Sequence, residues 1–435
     1  MLFKESNAEN GLCDGEIREL LEQSLDGEDC KKVLIIPPDY TRCFSKAGFI
    51  TNCFYHMLES RGCHTDILIA QGTHKPVSCG QWEKMYGDIP YSSMIPHRWR
   101  EDTEKIGHVP DAFVKEVTEG LWDRGFDVEI NRRLLDRTYD RIISVGQVVP
   151  HEVTGMSNHS KNLFVGAGGS EMINYLHMIG AVYGIERIMG REDTPVRRIL
   201  DYSMEHFMGG VPVTFVLTVT TEAQGQTFTH GVYIGEERSV LTKASAGSRK
   251  WNIEYPDRDI KKCVVYLDPE EFTTTWVGNK AIYRTRMAMA DAGELLILAP
   301  GVERFGEDKK IDEIISRYGY CGRREVLKLY GEHEDLRENM SAAAHLIHGS
   351  SDGRFKITYA VRKMTERQIR NAHFQYAGYQ EMQERYHPGK LKPGWNTMPD
   401  GEEIFYVSNP ALGLWAGRER LKDRESGNKT GGEYA

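Results

Sequence analysis

The segment from residue 32 to residue 74 constrains the fold of this 435-residue chain more than any other. Residues 32–36 read KVLII, a short apolar run that predicts a buried strand, and Gly62 ends a helix expected at residues 46–61. Residues 65–70, TDILIA, predict the next strand. Strand, helix and strand in this order are typical of a βαβ unit, which places the two strands side by side and parallel.

Polar side chains follow each predicted strand at the point where the strand ends. Asp39 and Arg42 come after the first strand, and His74 comes after the second. His151 follows a third strand, expected at residues 140–149. Ligands of open parallel sheets bind beyond the carboxyl ends of the strands, so we expect these side chains to line one crevice. The arginine offers a donor fork to a carboxylate or phosphate, and the histidines suit proton transfer.

The loop from residue 151 to residue 177 carries further reactive groups. It is rich in Gly, Ser and Asn, and it enters a helix expected to begin near Ser170. Lys161 lies in the loop and His177 lies on the helix. Glycines let backbone amides approach a phosphate, and a helix-borne imidazole can bind a metal ion. From the residues alone, a solvated lysine and a core histidine stay open as alternatives.

The second half of the chain predicts another α/β unit. Residues 211–220 and 226–234 alternate apolar and polar residues, which indicates a β-hairpin, and residues 261–267 predict a strand that closes the first domain. We predict an N-terminal α/β domain over residues 1–268 and a smaller C-terminal α/β domain over residues 269–435. Each would have a mostly parallel sheet flanked by helices, with the active site in the cleft between them. In the second domain we expect helices at 279–290 and 311–318, strands at 294–299 and 354–359, and a disordered tail at 426–435.

Composition limits the classes of function and the location. The net charge of −9 argues against general binding to nucleic acid or anionic membranes. No apolar run approaches the roughly eighteen residues of a membrane span, and the N-terminus lacks the features of a signal peptide. The eight cysteines include no CxxC pair, which disfavours a disulfide framework and is typical of reduced thiols. We therefore expect a cytoplasmic protein, whose oligomeric state the sequence does not predict.

The motifs at the strand ends recur together in a known family. They are Asp39-x-x-Arg42, Gly72-Thr73-His74, and Pro150-His151-x-x-x-Gly155-x-Ser157-x-x-x-Lys161, followed by Gly166 and by His177, 26 residues after His151. Lys280-Ala281, Gly293-Glu294-Leu295-Leu296-Ile297 and Glu303-x-x-Gly306 follow in the second domain. In order and spacing these motifs resemble the lactate racemase family, whose members carry a nickel-pincer nucleotide. The resemblance spans about residues 39–307.

The resemblance implies a role for each matching residue. Lys161 would hold the pyridinium ring of the cofactor through a thioamide, and His177 would be the protein ligand of a square-planar nickel ion. His74 and His151 would be the paired acid/base residues. The remaining matches would be Arg42, Lys280 and Trp276 for substrate binding, and Asp39, Ser157 and Ser160 for cofactor binding.

The implied reaction is inversion at C2 of a 2-hydroxy acid by reversible hydride transfer to the cofactor. Inversion needs a base on each face of the substrate, which is why two histidines suit it. The cofactor carries the difficult step, and the protein orients and neutralises the substrate. The implied partners are the 2-hydroxy acid and the cofactor-synthesis proteins, and chain expressed without those proteins is expected to lack the cofactor.

Three departures from the family pattern concern the substrate pocket and the phosphate loop. Trp276 and Val277 stand where Tyr-Gln is usual, Asn158-His159 replaces a glycine pair, and an expected tryptophan near Asn339 is absent. An indole in place of an amide changes what the substrate tail touches. We therefore expect a 2-hydroxy acid larger than lactate, such as a sugar acid.

Two other functions stay open from the sequence. A zinc-dependent hydrolase could use His74, His151 and His177 as metal ligands. A non-catalytic paralogue could bind a sugar acid or a nucleotide as a sensor, keeping Arg42 but showing no turnover.

Overall fold

The computed structural model describes residues 1–27, 29–223, 225–411 and 413–421, so the tail predicted at 426–435 lies outside the described residues. The strands are β1 (Leu2–Glu5), β2 (Lys32–Ile36), β3 (His64–Leu68), β4 (Met94–Ile95), β5 (Thr103–Val109), β6 (Phe126–Asn131), β7 (Arg141–Gln147), β8 (Pro150–His151), β9 (Gly155–Met156), β10 (Val213–Ala223), β11 (Gln226–Gly235), β12 (Ile253–Glu254), β13 (Ile260–Tyr266), β14 (Met289–Ala299), β15 (Lys356–Val361), β16 (Gln375–Gly378), β17 (Gly394–Thr397), β18 (Glu403–Val407) and β19 (Leu414–Trp415).

The helices range from single turns to fifteen residues. They are α1 (Asp14–Gln23), α2 (Ala47–Ser60), α3 (Cys79–Tyr86), α4 (Asp111–Val117), α5 (Ser170–Tyr183), α6 (Ile185–Ile188), α7 (Pro195–Phe207), α8 (Arg238–Asn252), α9 (Thr275–Gly278), α10 (Lys280–Thr285), α11 (Lys309–Tyr318), α12 (Arg323–Glu332), α13 (Glu334–Glu338), α14 (Met340–His348), α15 (Glu366–Asn371), α16 (Tyr379–Arg385) and α17 (Arg418–Leu421). Short 3₁₀ helices lie at Tyr40–Ser45, Tyr91–Ser93 and Arg132–Leu135, and a π-helical turn lies at Asn162–Gly166. In the described ranges, no helix is both long and apolar enough to cross a membrane.

The first sheet has seven strands in the order β1-β11-β10-β7-β2-β3-β4. The five strands from β10 to β4 are parallel to one another. Strand β11 pairs antiparallel with β10, and β1 pairs antiparallel with β11. The predicted βαβ unit and β-hairpin are therefore confirmed. The central strands bury both faces, and Val33 to Ile36 are fully buried, as a covered parallel sheet requires. The chain moves from β2 to β3 on one side and later returns to β7 on the other. The carboxyl ends of β2 and β7 therefore flank a topological switch point, where such sheets bind ligands.

The second sheet has six strands in the order β16-β15-β14-β13-β18-β17, and all of them except β17 are parallel. The sequence analysis assigned residues 261–267 to the first domain, but β13 lies in the middle of this second sheet. A short apolar strand carries no signal of which sheet it joins, so the sequence did not indicate this pairing. The sheets divide before Ile260, and the domain boundary after Asp268 stays a prediction.

The helix predicted at residues 279–290 is shorter than expected. It ends at Thr285, and Met289 already pairs with Ile260 as the first residue of β14. The apolar residues beyond Thr285 suggested a longer helix, but they are buried as parts of a turn and a strand. Tertiary pairing overrides local propensity here.

Helix α5 is buried on two sides. Met172, Ile173 and Leu176 belong to the core under the first sheet. Met178 and Ala181 belong to the core around the second sheet. Helix α14 packs against α5, and the backbone N–H of Ser341 donates to Oδ1 of Asn174 at 3.1 Å. The helix that carries His177 is therefore held from both halves of the structure.

A small ion network also joins the two halves. Glu186, on α6, accepts a hydrogen bond from Nε of Arg286 at 3.0 Å and one from Nη1 of Arg354 at 2.6 Å. The Arg286 side chain is only 4% exposed, so its charge needs anionic partners, of which Glu186 is the nearer and Asp352, 3.6 Å away, is the second. Its Nη1 also donates to the backbone oxygen of Ser350 at 2.9 Å.

Removing the carboxylate of Glu186 should destabilise the folded chain. Glu186→Gln takes the shared anion from a buried guanidinium, and we expect a loss of about 2 kcal/mol in the free energy of unfolding, measured by urea titration with circular dichroism. Glu313→Gln is the matched control because it breaks the exposed pair with Lys309, whose closest N–O distance is 3.8 Å. The control should change the same quantity by less than about 0.5 kcal/mol. Equal effects would show that the network contributes no more than a surface ion pair.

Candidate active site

Asp39 and His74 form a carboxylate–imidazole pair beyond the ends of β2 and β3. Oδ2 of Asp39 is 2.6 Å from Nδ1 of His74, and its Oδ1 accepts hydrogen bonds from the backbone N–H and hydroxyl of Thr41. Burial raises the pKa of Asp39, but His74 and Thr41 outweigh that effect and hold the pKa below its ordinary value. An ionised Asp39 fixes the proton of His74 on Nδ1 and leaves Nε2 as an acceptor. The His74 side chain is about half exposed, so that nitrogen can meet a substrate.

His151 is held differently, in the tight hairpin of β8 and β9. It is 6% exposed, and its Nδ1 accepts a hydrogen bond from the backbone N–H of Val153 at 3.2 Å. In the neutral ring the proton then lies on Nε2. Burial lowers the pKa of His151 well below its ordinary value, and Lys161 and Arg42 lower it further while Glu152 opposes them. His151 is thus a neutral donor at physiological pH.

The loop after β9 adopts a backbone that normally needs glycine. Asn158 has φ 64° and His159 has φ 57°, both in the left-handed region. These are the two positions where the resemblance led us to expect a glycine pair, and their positive φ values are ones that glycine adopts readily. The side chain of Asn158 packs against Gly146, where a Cβ would collide with the amide. His159 stacks on Phe215, with ring centroids 3.8 Å apart.

The two serines of this loop are occupied by contacts within the protein. Ser157 donates to the backbone oxygen of Gln147 at 2.7 Å and accepts from the N–H of Val149 at 2.9 Å. Ser160 is fully buried and accepts a hydrogen bond from Nη1 of Arg197 at 2.9 Å. Both hydroxyls therefore fix the loop, and their contact with a nucleotide phosphate stays a prediction.

Lys161 lies where this loop crosses the ends of β2 and β7. The next residue, Asn162, donates from Nδ2 to the backbone oxygen of Ile36 and to Oγ of Ser144, each at 3.0 Å. Burial, followed by the positive charge of Arg42, lowers the pKa of Lys161 to about 8. The amine makes no hydrogen bond or ion pair with the residues that the structure describes. It is a partly buried, weakly basic amine on a fixed backbone.

His177 turns one nitrogen to its own helix and keeps the other available. Its Nδ1 lies 2.6 Å from the backbone oxygen of Ile173, one turn earlier on α5, which fixes the proton on Nδ1. Burial lowers the pKa of His177, and Lys161 lowers it further, so the ring is neutral. A neutral histidine whose Nδ1–H is bound to a backbone oxygen is the usual form of a metal ligand, because Nε2 then presents a lone pair.

Cations from both halves of the chain meet around this site. Lys280 begins α10, and burial followed by the charge of Arg42 lowers its pKa to about 8. Arg284 lies one turn later on the same helix face and is 1% exposed. Arg42 therefore lies within electrostatic reach of both Lys161 and Lys280. The basic residues of the site come from both halves of the chain.

Trp276 is part of a packed wall beside these cations. Its ring stacks on His345 of α14 with centroids 4.2 Å apart and an interplanar angle of 18°. Nε2 of the same histidine donates to the backbone oxygen of Trp276 at 2.9 Å. The indole is thus held in one orientation, whereas its contact with substrate stays a prediction.

Three residues of the site were missed by sequence reasoning. Glu152 follows His151 directly, and its carboxylate lies 3.9 Å from Nδ1 of that histidine. Arg284 follows Lys280 by four residues, a spacing that could have been noticed. Arg197 is remote in sequence and gave no signal. In the described part of the chain, no three His, Cys, Asp or Glu side chains are grouped as ligands of one metal ion.

The comparisons with known proteins concern the N-terminal domain and the fold. Residues 16–185 match the family model of the lactate racemase N-terminal domain. No curated protein matches the chain. A crystal structure of a protein from Thermotoga maritima has a TM-score of 0.81 at 24% identity and covers 95% of this chain and 100% of that one. The lactate racemase apoprotein from Thermoanaerobacterium thermosaccharolyticum has a TM-score of 0.68 at 14% identity and covers 92% of each chain.

The structural matches show the fold, and the family match concerns the N-terminal half. The predicted α/β class, with mostly parallel sheets flanked by helices, is confirmed. The family match includes every candidate residue up to His177, whereas Trp276 and Lys280 lie beyond it. The resemblance to the lactate racemase family is therefore confirmed over residues 16–185, which match the N-terminal domain of that family.

Proposed function

We propose that this chain is a racemase or epimerase that inverts C2 of a 2-hydroxy acid, with a nickel-pincer nucleotide held by Lys161 and His177. The observation that carries the proposal is that each residue has a nitrogen free to bind: the amine of Lys161 for a covalent bond, and Nε2 of His177 for a metal ion. Lys161 has a lowered pKa of about 8 and no partner within the described chain, and His177 has its Nδ1 committed to Ile173. The family is known for a nickel cofactor, and these donors fit one.

The lysine and the histidine would divide the binding of the cofactor between them. A neutral amine is nucleophilic, and a lowered pKa increases the neutral fraction of Lys161 near pH 7. The lone pair on Nε2 of His177 would complete the coordination of nickel, which accepts imidazole ligands. When bound, the cofactor would supply an acceptor for the hydride at C2 of the substrate.

The two histidines would handle the proton of the substrate hydroxyl in unequal ways. Asp39 leaves Nε2 of His74 as an acceptor, which suits a general base. His151 carries its proton on Nε2 and would first meet the substrate as a donor. The carboxylates near them, Asp39 and Glu152, would balance the charge that develops on each ring.

The cations would bind the carboxylate of the substrate. Arg42 and Lys280 come from different halves of the chain and share one electrostatic environment. An anion between them would relieve their mutual repulsion, which is the reason that both halves are needed for binding. Arg42 offers a planar fork, and Lys280 offers a point charge.

The chain co-expressed with the cofactor-synthesis proteins tests the proposed function. We expect a covalent adduct of nucleotide size on Lys161, about one nickel per chain, and racemisation of a 2-hydroxy acid by chiral chromatography. Lys161→Ala should remove the adduct, and His177→Ala should keep the adduct but lose nickel, because the two residues hold different parts of the group. His206→Ala is the matched control, since its Nδ1 also lies against a backbone oxygen one turn earlier, that of Tyr202 at 2.9 Å.

That control should keep both the adduct and the metal. An unmodified mass without nickel under these conditions would contradict the proposal. Zinc in place of nickel, with loss of zinc in His74, His151 and His177 variants, would favour the hydrolase instead.

The Asp39–His74 pair should control the rate of the loaded enzyme. Asp39→Asn removes the charge that fixes the tautomer of His74, and we expect kcat to fall by about 10²-fold or more. Intact mass would confirm that the variant still carries the adduct. Asp127→Asn breaks a similar but exposed pair, Asp127 Oδ1 to His108 Nδ1 at 2.7 Å, and should leave kcat unchanged. An unchanged kcat in Asp39→Asn would exclude the pair from proton transfer.

The amine of Lys161 should titrate near pH 8 in cofactor-free chain. Its cationic form is disfavoured by burial and by Arg42, so the amine becomes reactive as the pH rises through about 8. Isotope-coded acylation across a pH series, followed by peptide mass analysis, would measure this. The exposed Lys309 is the internal reference. Arg42→Met should move the Lys161 midpoint to higher pH, because it removes a nearby positive charge, and an unmoved midpoint would contradict the electrostatic coupling.

A further inference from the structure

A carboxylate that no other residue pairs by a hydrogen bond lies next to His151. The side chain of Glu152 is 23% exposed, and its nearest partner is Nδ1 of His151 at 3.9 Å, beyond hydrogen-bond reach. It makes no hydrogen bond with another residue of the described ranges. Burial raises the pKa of Glu152, but His151, Arg284, its own backbone N–H and His348 outweigh that effect, so the carboxylate is ionised. It is therefore an anionic acceptor that no other described residue uses.

Buried polar atoms without hydrogen-bond partners lie on residues from the C-terminal half of the chain. Within the described chain, Nε of Arg284, Nδ1 of His345 and Nε2 of His348 are buried and have no hydrogen-bond partner. Their residues are 1%, 9% and 4% exposed, respectively. Each of the three residues lies within electrostatic reach of Glu152, and His345 and His348 are three residues apart on α14. Buried polar atoms are nearly always paired, so a cluster of orphans points to a polar ligand.

The mixture of donors and acceptors selects the chemistry of that ligand. A second carboxylate on the substrate would be attracted by Arg284 but repelled by Glu152 at the same place. A methyl group, as in lactate, would leave every one of these atoms unpaired. A hydroxyl group can donate to Glu152 and accept from Arg284 or from a histidine at once. Adjacent hydroxyls on a carbon chain therefore fit best.

We propose that Glu152, Arg284 and His348 form a hydroxyl-binding subsite, and that the substrate is a polyhydroxylated 2-hydroxy acid of the sugar-acid class. The inference rests on the proposed function, because Arg42 and Lys280 would bind the carboxylate end while this subsite binds the tail. Trp276, stacked on His345, would lie beside the carbon chain. Specificity of this kind is strong, since a site built to pair hydroxyls penalises an analogue that lacks them.

Isothermal titration of the full-length chain tests the subsite without requiring turnover. The probes are D-gluconate, both enantiomers of lactate, and the neutral polyol glucitol. We expect gluconate to bind at least about tenfold more tightly than either lactate, and glucitol to bind weakly because it lacks the carboxylate. Glu152→Gln and His348→Gln should each reduce that preference by about tenfold, with lactate affinity changed less than about twofold. Glu313→Gln is the control and should retain the preference.

The outcomes separate this inference from the proposed function. Equal affinity for gluconate and lactate, or a preference unchanged in folded Glu152→Gln and His348→Gln, would overturn the subsite. A gluconate preference that depends on Glu152 would support it, even if cofactor-loaded chain inverted no acid, in which case only the proposed function would fail. Racemisation of lactate with no gluconate preference would support the function and overturn the subsite.

Discussion

The burial of α5 on two sides is the constraint on which the rest of the structure depends. One side of the helix completes the core under the first sheet, and the other completes the core around the second. A helix in this position cannot tilt without disturbing both cores, because packed interiors resist small displacements. The Nδ1–H of His177 is bound to the backbone of this same helix. The position of its free nitrogen is therefore as rigid as the join between the two halves.

Charges of both signs lie around the site. Arg42 lies within electrostatic reach of Lys161, Lys280 and Arg284, and burial lowers the pKa of both lysines to about 8. Asp39 and Glu152 supply negative charge, but each lies beside a histidine. The basic residues Arg42, Lys280 and Arg284 meet the carboxylates Asp39, Glu152 and Glu271 in this region, although the whole chain carries a net charge of −9. The local arrangement, rather than the overall charge, decides what the site can bind.

Local patterns in the sequence were enough to predict the frame of the site. The run KVLII, the helix ended by Gly62 and the polar residues after each strand predicted that Asp39, His74 and His151 would lie at one edge of a sheet. The sheet to which β13 belongs could not be predicted, because pairing between strands depends on contacts far apart in the chain. Glu152 and Arg284 were also missed, because each interacts electrostatically with a residue from the other half of the chain. The short α10 shows tertiary pairing overriding a helical pattern.

The double burial of α5 also has a consequence for timing. A ribosome delivers the N-terminal half first, and at that moment one side of α5 has no partner and Lys280 does not yet exist. The second core forms only when the strands around β13 have been made, and β13 itself gains its outer neighbour β18 near the end of the chain. Under the proposed function, attachment of a cofactor to Lys161 and His177 would then be an event of the completed chain. Proteins that load this site would have to recognise the finished fold rather than a nascent segment.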